Sequence, residues 1–108
     1  MDEQVFRRSS EAAIDALKRK LYDREENGGY EVEERGGALH LSFEDPPGVF
    51  VISPNAPVFQ IWISALSTSF KLDWSAEKNA FVLARTGEEL STLMARLIGE
   101  QSGKTVEL

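Results

Sequence analysis

The chain has 108 residues, which is the length of one domain with a single hydrophobic core. It contains no cysteine and one histidine, His40, so disulfides, thiolate metal ligands and mechanisms that need two histidines are excluded. The net charge of −6 argues against binding to nucleic acid or to an anionic membrane surface.

The N-terminal residues predict a cytoplasmic protein. Acids stand at Asp2 and Glu3 and no apolar run follows them, which is untypical of a secretory signal or a transit peptide. No segment approaches the roughly 18–20 consecutive apolar residues of a membrane span.

The negative charge is concentrated in one part of the chain. Residues 1–22 carry a net charge of +1, residues 23–45 a net charge of −6, and residues 46–108 a net charge of −1. Such a block is often ordinary solvated surface, but it also fits a cation or a basic partner.

The first predicted element is an amphipathic helix from Val5 to about Asp23. Its apolar residues recur at helical spacing and form one stripe: Phe6, Ala13, Ile14, Leu17 and Leu21. The Asn-Gly-Gly sequence at residues 27–29 is a helix stop signal.

From Tyr30 the period changes to two, which predicts five to six strands joined by short turns. The predicted strands begin near residues 30, 39, 49, 59, 70 and 80. Thr86 and Glu89 then form a capping-box pattern before a second helix. Its apolar stripe consists of Leu90, Leu93, Met94, Leu97 and Ile98.

This order predicts an α+β fold with a single domain over residues 1–108. Short turns imply an antiparallel sheet, and both helices must bury their stripes on one face of it. The result is a two-layer α–β sandwich, helix – five to six antiparallel strands – helix, whose second sheet face is open.

One tryptophan breaks the polar pattern of that open face. The predicted outward positions of the middle strands are His40, Ser42, Gln60, Trp62, Ser64, Lys71 and Asp73. Tryptophan is enriched at binding hot spots, so Trp62 predicts a partner-binding surface. The alternatives are that a loop covers Trp62, or that the register is wrong by one residue.

Several segments in this order resemble the frataxin family in its short bacterial form. The central one is Val58 to Ser64 (VFQIWIS), which resembles the family's Gln–aliphatic–Trp–aliphatic strand. It follows a proline-containing turn at residues 55–57. The other resembling segments are residues 37–44, 69–73 and 85–90.

The resemblance implies a role in iron–sulfur cluster assembly, as an iron chaperone or as a regulator of the cysteine desulfurase and scaffold protein. It implies weak, reversible binding of iron(II) and iron(III) on an acidic ridge of the first helix and strand. The implied metal ligands are Glu11, Asp15, Asp23, Glu25, Glu26, Glu31, Glu33 and Glu34. The implied partner-binding residues are Gln60, Trp62, Ser64, Glu31 and Glu33.

The chemistry of carboxylates agrees with reversible metal binding, because iron accepts hard oxygen ligands and a cation relieves their mutual repulsion. The bases Lys18, Arg19 and Lys20 stand where the family carries acids, which motivates an alternative. In that alternative the chain is a metal-independent module that docks through its acidic segment and Trp62. We predict a monomer without enzymatic activity, and a structural or solvent-exposed role for His40.

Overall fold

The computed structural model describes residues 1–108 as one sheet covered by helices. The long helix α1 spans Glu3–Asp23, the single-turn helix α2 spans Glu25–Gly28, and the C-terminal helix α3 spans Leu90–Ser102. None of these helices is both long and apolar enough to cross a membrane.

The sheet has seven antiparallel strands whose spatial order equals their order in the chain. They are β1 (Tyr30–Arg35), β2 (Ala38–Glu44), β3 (Pro47–Asn55), β4 (Gln60–Ala65), β5 (Thr68–Ser75), β6 (Ala80–Leu83) and β7 (Glu88–Glu89). A 3-10 turn at Ala56–Val58 joins β3 to β4. Each pair is therefore a simple hairpin, as short connections require.

The core lies between the helices and one face of the sheet, which confirms the predicted sandwich. All five predicted apolar residues of α3 are buried, as are Phe6, Ile14, Leu17 and Leu21 of α1. Alternate residues of each central strand meet them, for example Leu39 and Leu41 of β2. Since the side-chain period of a strand is two, the intervening residues must lie on the open face.

Three local features differ from the sequence-based expectation. The short helix α2 and the two-residue strand β7 add to the predicted elements, and both are too short to show a period. The capping box is wrong: α3 begins after Glu89, which makes no side-chain cap. The Thr86 hydroxyl instead accepts a bond from the Glu88 backbone N–H, and the Glu88 carboxylate accepts bonds from Arg96.

Tyr30 ties the start of β1 to the last turn of α1. Its hydroxyl donates a hydrogen bond of 2.6 Å to the Leu21 carbonyl, and its side chain is buried. A Cβ at Gly28 would overlap the Tyr30 ring, so the close approach requires glycine there. This contact fixes where the chain passes from the acidic helix end into the sheet.

Burial raises the pKa of Tyr30 to about 12 from its ordinary value of 10.0. The neutral phenol therefore stabilises the fold fully below pH 10, and this contribution is lost as pH rises through 12. We expect Tyr30→Phe to lower the free energy of unfolding by about 1 kcal/mol at neutral pH, because the Leu21 carbonyl loses its donor. Urea unfolding at pH 7 and pH 11 measures both effects. A variant as alkali-sensitive as the parent would contradict this assignment.

Candidate partner-binding surface and acidic groups

Trp62 lies on the open face of the sheet, half-buried among polar neighbours. The strand residues on either side of it, Ile61 and Ile63, are buried in the core. The register is therefore the predicted one, and a one-residue slip is excluded because it would expose both isoleucines. On this face Trp62 pairs with Ser53 of β3 and Lys71 of β5.

A short hydrogen-bond chain holds the indole in place. Trp62 Nε1 donates to Gln60 Oε1 at 2.8 Å, and Gln60 Nε2 donates to Asp73 Oδ1 at 2.9 Å. From the other side, Lys71 Nζ lies 4.8 Å from the centre of the indole ring, in cation–π contact. A side chain that is already fixed loses less conformational entropy when a partner binds.

The sequence-based site omitted Lys71 and Asp73. The signal for them was present, because an antiparallel hairpin that turns at Leu66 and Ser67 must pair residue 62 with 71 and residue 60 with 73. The observed register is this one. Of the predicted partner-binding residues, Ser64 lies exposed on the same face, between Val51 of β3 and Ser69 of β5.

The predicted acids fall into three separate groups. Glu31 and Glu33 lie exposed on β1, at the edge of the open face that carries Trp62. Three inter-strand spacings, or about 14 Å, separate β1 from β4. The open face therefore presents an acidic edge and an indole centre to one partner, but the two do not touch.

The edge group is partly neutralised. Glu33 accepts two hydrogen bonds from the Arg35 guanidinium, at 2.8 and 2.9 Å, and these bonds lower the pKa of the Glu33 carboxyl. His40 of β2 lies opposite Glu33 and adds to that lowering. His40 is half-buried on the open face, and its Nδ1 is buried without a hydrogen-bond partner.

A second group lines a cleft of about 610 Å³ between α1 and the sheet. It consists of Glu11, Asp15 and Glu34. Lys18 enters this group, with its Nζ 3.2 Å from Glu34 and 4.0 Å from Asp15. Arg19 binds the second oxygen of Asp15 at 2.8 Å. Two of the three unexpected bases thus pair with predicted metal ligands.

The third group, Asp23, Glu25 and Glu26, lies where α1 passes into α2. Here Glu25 has a structural contact, because its carboxylate accepts the Val32 backbone N–H at 2.8 Å. Val32 belongs to the edge strand β1, so Glu25 occupies a donor that would otherwise be open to another strand. In the structure as a whole, no three acidic or histidine side chains are arranged to hold a metal ion.

Comparison with known proteins assigns the chain to a family. The description "Frataxin-like domain" matches residues 1–104. The chain belongs to the frataxin family. This membership agrees with the helix–sheet–helix order of the structure.

Curated relatives carry the name "Iron-sulfur cluster assembly protein CyaY". The protein from Janthinobacterium sp. (strain Marseille) is 26% identical over 110 aligned positions, covering 100% of this chain and 96% of the relative. The one from Aeromonas hydrophila is 33% identical over 75 positions, or 69% of each chain.

Solved frataxin structures have the same architecture. Frataxin from Psychromonas ingrahamii matches with a TM-score of 0.76 and 26% identity, over 99% of this chain and 97% of that chain. Yeast frataxin matches with a TM-score of 0.70 and 22% identity, over 91% of this chain and 80% of that chain, and shows the fold alone.

Proposed function

We propose that this frataxin-family chain acts in iron–sulfur cluster assembly by docking onto a cysteine desulfurase and its scaffold protein. The observation that carries the proposal is the fixed, half-buried Trp62 on the open sheet face, to which the exposed Val49 and the half-buried Val51 also belong. The names of its CyaY relatives support the process. The proposed role is non-catalytic.

In this proposal the acids of β1 steer the encounter and Trp62 supplies the contact energy. Exposed charges mainly raise association rates and are screened by salt. A hot-spot aromatic side chain stabilises the complex after contact, because its surface is removed from water. This contribution to the binding free energy depends little on salt. The two parts of the open face should therefore be separable by ionic strength.

We expect Glu31→Lys together with Glu33→Lys to weaken binding to the purified desulfurase–scaffold complex about tenfold at low salt, mainly through slower association. Biolayer interferometry at 50 and 500 mM salt would measure both rates. The control is Glu88→Gln, because Glu88 belongs to β7, at the opposite edge of the sheet from β1. A loss of equal size at both salt concentrations would overturn the electrostatic role of β1.

A second candidate function is iron carriage, for which the supporting observation is that Glu11, Asp15 and Glu34 line one cleft, although they are not arranged to hold an ion together. Exposed carboxylates on separate elements would hold iron(II) or iron(III) weakly and keep several waters on it. Lys18 would have to leave Glu34 for the cation to enter, since its ammonium occupies the same oxygens.

Backbone amide spectra recorded during an iron(II) titration would test this candidate. We expect line broadening concentrated in residues 11–45, and stronger binding in Lys18→Gln because that change frees the Glu34 carboxylate. Arg7→Gln is the control, since Arg7 pairs only with Glu3 at the far end of α1. Broadening spread evenly over the chain would rule out iron carriage at these acids and leave the docking role intact.

A further inference from the structure

A groove on the helical side of the molecule is not part of the proposed docking surface. It lies between α1, the first turn of α3 and the β5–β6 hairpin, and it has a volume of about 850 Å³. Its wall is largely apolar: Ala12, Ala13, Ala16, Trp74, Phe81 and Leu108. Trp74 packs edge-on against Phe81 with ring centres 5.1 Å apart.

Two cations stand at this groove, and neither forms an ion pair with a carboxylate. They are Arg8 and Lys20 of α1. Their neighbours on the same helix, Arg7, Lys18 and Arg19, all have carboxylate partners. The only polar contact of the Lys20 ammonium is a weak one of 3.4 Å to the Ser91 hydroxyl.

Seven of the twelve basic residues form no ion pair, and two of them line this groove. The one carboxylate among the lining residues is Glu89, and it makes no hydrogen bond or ion pair with either cation. Two unpaired cations beside an apolar wall are complementary to acidic groups that flank an apolar centre.

The spacing of the cations indicates the length of the occupant. Arg8 and Lys20 are twelve residues apart on one helix, which places their Cα atoms about 18 Å apart along its axis. An extended peptide advances about 3.3 Å per residue, so six residues cover nearly the same span. A compact anion would meet one of the two cations and leave the other unpaired.

We propose that this groove binds an extended acidic peptide segment of a partner, with an acid at each end and apolar side chains between them. The apolar side chains lie against Trp74 and the alanines of α1, and the terminal acids meet Arg8 and Lys20. The site is on the opposite side of the sheet from Trp62, so the chain can hold this segment and the open-face partner together.

The test uses the whole chain and a synthetic probe, the acetylated, amidated hexapeptide Glu-Leu-Val-Ile-Ala-Glu. Amide chemical shifts followed during its titration should change in α1, in the first turn of α3 and near Trp74, and not in β4. A second peptide with glutamine at both ends should bind at least tenfold more weakly, because both ion pairs are lost.

Variants of the chain separate the groove from general charge effects. Arg8→Ser and Lys20→Ser should each weaken binding of the hexapeptide about threefold, and Ala16→Leu should abolish it by filling the groove. Arg7→Ser is the matched control and should bind like the parent, since Arg7 does not line the groove. Absence of binding, equal binding of the glutamine peptide, or an equal loss in Arg7→Ser would each overturn the proposal.

Discussion

Trp62→Ala is expected to weaken binding to the desulfurase–scaffold complex at least 30-fold, which corresponds to about 2 kcal/mol or more. The indole is half-exposed and already fixed by Gln60 and Lys71, so its removal takes away contact area that costs little ordering. The free energy of unfolding should fall by about 1–2 kcal/mol, because the side chain loses one hydrogen bond, one cation–π contact and part of its packing on the sheet surface.

The chain supplies its own control for this substitution. Tyr22 of α1 is an exposed aromatic residue outside both proposed binding surfaces, and Tyr22→Ala should leave affinity for the complex unchanged. Binding measured by calorimetry at two salt concentrations would show whether the loss in Trp62→Ala persists at high salt. Unchanged affinity in Trp62→Ala would remove the open face from the docking proposal.

Ile61→Ala, one residue earlier on the same strand, should have the opposite effect. Ile61 is fully buried and its side chain points into the core, so truncation leaves a cavity and costs about 2–5 kcal/mol. That is a large part of the stability of a domain this size, which is about 5–15 kcal/mol. Affinity for the complex, measured at a temperature where the variant stays folded, should remain close to that of the parent.

Chemical unfolding of Ile61→Ala and Trp62→Ala, measured side by side, distinguishes the core-facing side of β4 from its open side. The structure requires a stability loss without a binding loss in the first, and a binding loss with a small stability loss in the second. Similar stability losses in both variants would mean that the indole is packed inside the protein and not offered to a partner.

Much of the fold could be predicted because its strongest signals are periodic. The apolar stripe of α3 and the alternation of apolar and polar residues around Trp62 extend over many residues. The residues that recur at the helical or strand spacing are the ones that are buried. The features that the sequence-based prediction missed are short or polar. The helix α2 has four residues and β7 has two. Thr86 has two glutamates close to it in the sequence, Glu88 and Glu89, and in the structure it bonds to Glu88.

The candidate site was predictable only in part, for the same reason. Alternation placed Trp62 and Gln60 on the open face, since they lie close together on one strand. No local pattern shows that Lys18 reaches Glu34 or that Glu25 occupies the Val32 amide, because these pairs join different elements. The predicted acids therefore divide into three groups with different neighbours.

Residue counts and alternation along the strands were enough to predict four features: no thiol, one histidine, an acidic segment at residues 23–45, and an indole on the outward side of β4. Which charged side chains meet became known from the folded chain alone. The spacing of acidic and basic residues along the chain does not show which of them form ion pairs. Those pairs depend on distances between elements that are far apart in the sequence. That is why Lys18 is paired, Lys20 and Arg8 are not, and the groove between them became visible only in the folded molecule.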